Sequence, residues 1–328
     1  MSMLAPMATF SLDDVRDVCK KRDAWWTVFL VDPPAIRLTR LLANRTSITP
    51  NQITVGSVVL GALSAGCFAL ASPGMLLLGA LFYHLSFVLD CCDGKVARLK
   101  GTGTLFGQWL DFMLDQFRVV CCALALSIGQ YAATGQVAYL YLGFAIICLD
   151  VFRYLNSAQV AKTRRALRHR INVAVQEQEA LEVASGVIAP QPPLSDRQLN
   201  YIEDTLREPP ETGERGVDLH REFDSRFPWY RGLRLFMLRH RVRTHLISGI
   251  EFQMSAFILA PPAAAVFGAG AMFPVTLGVG TLLALMELVI IYKLLLQTRE
   301  CGRVLEKLTR PWPPPVPEQR SLSIVGGS

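Results

Sequence analysis

The chain has 328 residues, 51% of them hydrophobic and only 18% charged, with 33 Lys and Arg against 27 Asp and Glu. A composition this apolar excludes a typical soluble domain of the same length and points to a bilayer as the chain's solvent. The formal net charge of +6 gives no support to a nucleic-acid partner, because in a membrane protein the placement of basic residues says more than their sum.

Met1 to Phe10 lacks a basic region followed by an apolar run, so no cleavable signal is expected and the first span must direct insertion. Ser11, followed by Asp13 and Asp14, marks a helix start, with an N-cap and acidic residues at the positive end of the helix dipole. Between Pro34 and Asn44, Ile36, Leu41 and Leu42 alternate with Arg37 and Arg40, and Trp25 and Trp26 lie just upstream. That pattern fits an amphipathic helix lying on anionic headgroups, and equally a helix packed on the protein itself. Either way it belongs at the cytoplasmic surface.

Thr49-Pro50-Asn51 opens the first span, with Thr49 suited to the N-cap and Pro50 to the first turn, where its missing N–H costs nothing. Six stretches are long and apolar enough to cross a bilayer: about 52–71, 75–97, 106–129, 136–158, 245–267 and 273–297. With the N-terminus inside, the outer turns near Ser72-Pro73-Gly74, Ala132 to Gly135 and Gly268 to Gly270 contain no Lys or Arg. The positive-inside rule then predicts N-in, C-in topology in the cell membrane with the functional site facing the cytoplasm.

The expected fold is an all-α integral membrane protein, a six-transmembrane-helix bundle with an N-terminal interfacial amphipathic helix. It divides into an N-terminal cytoplasmic and interfacial segment over 1–48, spans one to four over 49–160, a cytoplasmic insertion over 161–242, spans five and six over 243–299 and a tail over 300–328. The beginning of the insertion extends the fourth span as a polar helix to about Val183. Pro190, Pro193, Pro209 and Pro210 break it, and Ser195 to Arg207 reads as a second short helix. The tail, with Pro311, Pro313, Pro314, Pro315 and Pro317, is too Pro-rich to bury a core. The eight cysteines lie in spans or at the reducing cytoplasmic edge, so neither a disulfide nor a thiolate metal site is expected.

The decisive segment joins spans two and three, where Asp90, Asp93, Asp111 and Asp115 border apolar helices. An ionised Asp at the centre of a span costs on the order of 2.5–3.5 kcal/mol, so four together require cations or water to compensate. Asp90 and Asp93 are three apart and Asp111 and Asp115 four apart, so each pair shares one helix face. The short turn Lys100-Gly101-Thr102-Gly103 makes the two helices antiparallel neighbours and brings the faces together. Oxygen-only ligands favour Mg²⁺ or Mn²⁺ over zinc. Gly94 and Ala97 leave room for a nucleotide to approach, Gly107 lies one turn before Asp111, and Arg98 offers a planar fork for a phosphate. The plainer alternative is close helix packing at the glycines, with the aspartates paired to Lys95, Arg98 and Arg118.

Asp-x2-Asp-Gly-x2-Ala-Arg-x8-Gly-x3-Asp-x3-Asp, filled by Asp90, Asp93, Gly94, Ala97, Arg98, Gly107, Asp111 and Asp115, resembles the CDP-alcohol phosphotransferase motif at every fixed position. Thr49-Pro50-Asn51 and six spans behind an interfacial helix are similar to that family as well. The resemblance covers about 34–160 well and the last two spans by topology, while the insertion at 161–242 is longer than the family leads one to expect.

The resemblance implies a CDP-alcohol donor whose diphosphate bridges two divalent cations held by Asp90, Asp93 and Asp111. Asp115 acts as general base or completes the second metal's shell, and Asp90, Gly94, Ala97, Arg98 and Gly107 contact CDP. It also implies a homodimer, CMP as product and an acceptor hydroxyl. Arg118, Arg153 and Lys293 are candidates to bind an acidic acceptor such as a polyol phosphate, and the stretch Leu41 to Thr54 is faintly similar to members that use inositol phosphate. Arg153 follows Asp150 by three residues, so an intrahelical ion pair explains it equally well. A transporter or channel using the aspartates as an ion site is the main rival, and a non-catalytic scaffold the second. The clustering of charge at one membrane edge and the complete aspartate set argue against them.

Overall fold

The structure is a computed structural model and describes residues 9–184, 236–237, 239–243 and 247–309. The second insertion helix expected at Ser195 to Arg207, the prolines around it and the tail beyond Thr309 lie outside the described residues. Among the described residues there is no strand, only an isolated parallel bridge between Asp23 and Val242.

Two short elements precede the spans. α1 (Leu12–Asp17) starts at a capping box in which Ser11 Oγ accepts from the Asp14 amide and the Asp14 carboxylate accepts from the Ser11 amide. α2 (Asp32–Arg45) is the amphipathic helix, entered two residues earlier than its pattern suggested and through a π-helical turn, Thr27–Val31. Pro33 and Pro34 have no N–H to close the preceding turn, so the Asp32 amide reaches back to the Thr27 carbonyl and the turn widens. The same device recurs at Pro261 and Pro262, where the Ala260 amide bonds to the Ser255 carbonyl across the π turn Ser255–Leu259.

Among the described residues, six helices are long and apolar enough to cross a membrane. α3 (Pro50–Leu70) opens on a Thr49–Gln52 capping box with Pro50 in the first turn. α4 (Pro73–Lys100) ends at Gly101, whose φ of 64° is the left-handed conformation that ends a helix at least cost in a glycine. α5 (Leu105–Thr134) begins under the Thr104 cap, which accepts from the Gly107 amide. α6 (Ala138–Ala184) merges the fourth span with its polar extension, as the sequence pattern indicated. α7 (Gly249–Met254), the π turn and α8 (Ala260–Phe267) form one bulged span, and α9 (Met272–Thr309) is the sixth, running past the boundary expected at 299.

The chain divides into two compact units, Met1–Ala158 with Trp229–Ile290, and Gln159–Pro228 with Ile291–Ser328. In the first, α3 packs against both α4 and α5 through small residues. A Cβ at Gly129 would meet the carbonyl oxygens of Phe68 and Ala69 at 2.5 and 2.7 Å, and one at Gly79 would meet the Phe68 ring at 2.6 Å. Phe257, beside the proline-induced π turn, fills the space between Phe68 and Tyr83, its ring centroid 4.7 Å from that of Tyr83. Such close approach is what holds helices together where lipid is as apolar as the side chains. In the second unit, Leu167, Ile171 and Cys301 are buried together with Val175 and Leu305 against them, and Arg164 donates to Gln297. All eight cysteines are free thiols.

Candidate active site

Asp90 and Asp93 lie in the last third of α4, and Asp111 lies near the start of α5. The chain turns from one helix into the other between the Gly101 exit and the Thr104 entry, and α3 packs against both. One ligand oxygen from each of the three carboxylates falls within 4.8 Å of the others. Asp111 Oδ1 is buried and has no hydrogen-bond partner among the described residues. An ionised oxygen left unpaired in an apolar surrounding is costly, and a carboxylate-only donor set is the chemistry of a hard divalent cation. The residues present therefore fit a metal centre.

The fourth aspartate is placed differently. Asp115 lies one turn further along α5 and its carboxylate is paired with Arg118 of the same helix. The Arg118 guanidinium also reaches Ser86 Oγ at 3.0 Å and Asp90 Oδ1 at 3.6 Å, with the Tyr83 ring 5.7 Å away. Gly61 of α3 makes the room, since a Cβ there would meet Arg118 Cδ at 2.8 Å. Arg118 thus sits buried among the carboxylates, neutralising some of their charge. Lys95, by contrast, turns away to Asp32 at 3.0 Å.

Asp93 has a partner from a third helix. Thr54, in the first turn of α3, donates to Asp93 Oδ2 at 2.5 Å and stands within bonding distance of the Pro50 carbonyl. The Thr49–Pro50 helix start, legible as a cap, therefore also sets the height at which Thr54 meets the carboxylate.

Residues 47–177 match the CDP-alcohol phosphatidyltransferase family. That segment is a CDP-alcohol phosphatidyltransferase domain by this match. It is 44% identical over 86 residues to the bifunctional IPC transferase and DIPP synthase of Aquifex aeolicus, covering 24% of this chain and 19% of that protein. It is 36% identical over 88 residues to the phosphatidylinositol phosphate synthase of Corynebacterium glutamicum, covering 26% of this chain and 36% of that one. A match to the phosphatidylinositol phosphate synthase of Mycobacteroides abscessus is 29% identical over 136 residues, 40% of this chain and 60% of the relative. The chain thus spans about a fifth of the length of the bifunctional relative and 36% and 60% of the two synthases.

The other motif residues lie along α4 and at the start of α5. Arg98 is exposed and donates through Nε to the Val18 carbonyl at 2.7 Å, which fixes the guanidinium one turn above Gly94. A Cβ at Gly94 would stand 3.4 Å from Arg98 Nη1, an ordinary contact distance. Ala97 is half-buried on the same stretch of α4. Gly107 is half-buried at the start of α5, and a Cβ there would press on Thr104 Oγ1 at 3.0 Å, with Asn51 Oδ1 at 3.8 Å.

Arg153 in α6 does form the intrahelical ion pair, its Nη2 lying 3.1 Å from Asp150 Oδ1. Its guanidinium also covers the Tyr154 ring at 3.9 Å. Lys293 belongs to the other unit. The sequence pattern missed Thr54, Ser86, Gly61, Gln116 and Gln253. Of these only Thr54 carried a signal, being on the inward face of a helix whose first turn was already located.

Proposed function

We propose that this protein transfers the phosphoryl-alcohol group of a CDP-linked alcohol to a hydroxyl of a phosphorylated polyol, releasing CMP. The observation that carries the reading is the convergence of Asp90, Asp93 and Asp111, with an unpaired buried oxygen on Asp111, inside a phosphatidyltransferase domain. A polyol phosphate acceptor of the inositol phosphate type is supported by relatives named phosphatidylinositol phosphate synthase.

Asp90, Asp93 and Asp111 would hold the cofactor, two Mg²⁺ or Mn²⁺ ions. When bound, these ions offset the negative charge that develops on the phosphoryl group and on departing CMP. Gly94, Ala97 and Gly107 leave the helix backbones open to the CDP diphosphate, and Arg98, tethered by Val18, presents its remaining N–H groups to a phosphate. Asp115 takes the proton of the acceptor hydroxyl as that oxygen bonds to the phosphorus bearing the alcohol and the bridge to CMP breaks. Arg118 orients Asp115 and Asp90, and Arg153 is the cation available to the acceptor's phosphate. The chain works as a homodimer in the cell membrane, with the site and both termini on the cytoplasmic side, consistent with the basic residues on that edge.

The test is CMP release by the purified chain with Mg²⁺, offering CDP-diacylglycerol and soluble CDP-alcohols against polyols and their phosphates, with Asp115→Asn as control. Release confined to one donor and a phosphorylated acceptor, and lost in the control, is expected. Absence of CDP binding in the presence of Mg²⁺ or Mn²⁺ would sink the reading.

A further inference from the structure

Asp150 of α6 is 0% exposed, yet the chemistry above does not use it. Its carboxylate collects donors from three helices: Gln116 Nε2 of α5 at 2.8 Å, Gln253 Nε2 of α7 at 3.0 Å, and Arg153 Nη2 of its own helix at 3.1 Å. A buried carboxylate is tolerated only when hydrogen-bonded in this way, and in return it fixes every group that donates to it.

The most constrained of those groups is the Arg153 guanidinium. Asp150 holds one edge, the Tyr154 ring lies under its face, and Gly249 at the start of α7 backs it. A Cβ at Gly249 would fall 1.9 Å from Arg153 Nε and 2.0 Å from Cζ, so the guanidinium occupies the volume a side chain would need. Arg153 Nε is itself buried with no hydrogen-bond partner among the described residues. A donor immobilised on three sides and left without an acceptor is arranged to receive one.

The same contacts tie this cation to the aspartate site. Gln116 follows Asp115 on α5, and Phe112, which follows Asp111, meets the Tyr154 ring edge-on at 5.1 Å. The guanidinium is therefore registered against α5 one residue along from both aspartates.

We propose that Asp150 and Gly249 are positioning residues for acceptor recognition. Asp150 sets the plane of the Arg153 guanidinium and Gly249 leaves the space it fills, so that the unpaired Nε–H meets the phosphate of an acidic acceptor. The proposal rests on the transfer reading above, but it concerns acceptor binding and is tested apart from turnover.

The informative variant is Gly249→Ala in the full chain. It keeps the Arg153 charge, favours the helix, and displaces the clamped guanidinium together with Cδ. Gly66→Ala, where nothing lies within 4 Å of the added Cβ, is the control. Binding of myo-inositol 1-phosphate, with free inositol as the uncharged comparison, is measured by calorimetry on the detergent-solubilised protein. Gly249→Ala and Asp150→Asn are expected to weaken the phosphate ester about tenfold to a hundredfold, with CDP affinity kept in Gly249→Ala. In turnover, the same variant raises the acceptor KM and leaves the donor KM in place, a split that a merely structural role would not produce. Wild-type affinity for the ester in Gly249→Ala, equal weakening of CDP and ester, or no ester binding by the wild type would each overturn the proposal. Failure of the transfer reading shows separately, as absence of CMP release by a chain that binds the ester.

Discussion

The Asp32 carboxylate stands 3.0 Å from the Lys95 ammonium, both side chains more than nine-tenths buried, and this pair ties the amphipathic helix α2 to the helix that carries Asp90 and Asp93. Lys95 also donates to the Cys91 carbonyl, and Asp32 has a second cation in Arg241 at 3.7 Å. Removing the anion leaves the ammonium buried with only a carbonyl for company, whereas removing the ammonium leaves Asp32 with Arg241. Asp32→Asn should therefore destabilise by about 3–5 kcal/mol, and Lys95→Met by less. Denaturation of the two variants in the same detergent checks the order; equal losses would mean that Arg241 does not compensate.

Thr54 reaches Asp93 from another helix, as a residue behind a metal ligand does. Thr54→Val keeps the shape and deletes the donor. Half-saturating Mg²⁺ for CDP-dependent thermal stabilisation should rise about 10- to 100-fold, and Thr54→Ser should restore it. An unchanged Mg²⁺ requirement in the valine variant would place Thr54 outside the site's function.

Helix packing gives a contrast between two glycines. Gly129 abuts the backbone carbonyls of Phe68 and Ala69, which cannot swing aside, whereas the Gly66 position opens to free space. Gly129→Ala should destabilise by about 1–3 kcal/mol through overpacking, while Gly66→Ala should be neutral or stabilising by roughly 0.5–1 kcal/mol from reduced chain entropy. Comparing the two melting temperatures decides whether α3 and α5 approach each other this closely.

The capping box of α1 has a pH signature. The Ser11 backbone amide, and then its hydroxyl, hold the Asp14 carboxyl below its ordinary value. A lowered folded-state pKa means that the box stabilises the helix start fully above the ordinary carboxylate pKa of about 3.9. That contribution is lost as pH falls through the lowered value. Following the Asp14 carboxyl carbon by NMR as pH is reduced should give a midpoint below the ordinary one; a midpoint at or above it would mean the box does not form in solution.

Much of this arrangement was legible in the chain itself. Ser11 and Thr49 announced helix starts because capping depends on residues within one turn, and the apolar stretches announced spans because span length depends only on rise per residue. The polar continuation of α6 was visible for the same reason. Entry to α2 was misplaced by two residues because Pro33 and Pro34 widen the preceding turn instead of merely starting a helix, a choice set by which carbonyl the Asp32 amide can reach. Arg118 and Arg153 were alike in the sequence, each a cation within a span three residues after an aspartate. In the fold they diverge, one enclosed by Asp90, Asp115 and Ser86, the other clamped by Asp150 and Gly249 over the Tyr154 ring.

The sequence alone determined that the chain is a helical membrane protein and that Asp90 with Asp93, and Asp111 with Asp115, each share one helix face, since the helical period fixes which residues lie together. Tertiary structure alone decided that three of the four carboxylates converge while the fourth is paired with Arg118, that Thr54 reaches Asp93 across 39 positions, and that Gly249 makes room for Arg153. Those relationships depend on which helices become neighbours and on how closely small residues let their backbones approach, and neither is encoded within any single turn of the chain.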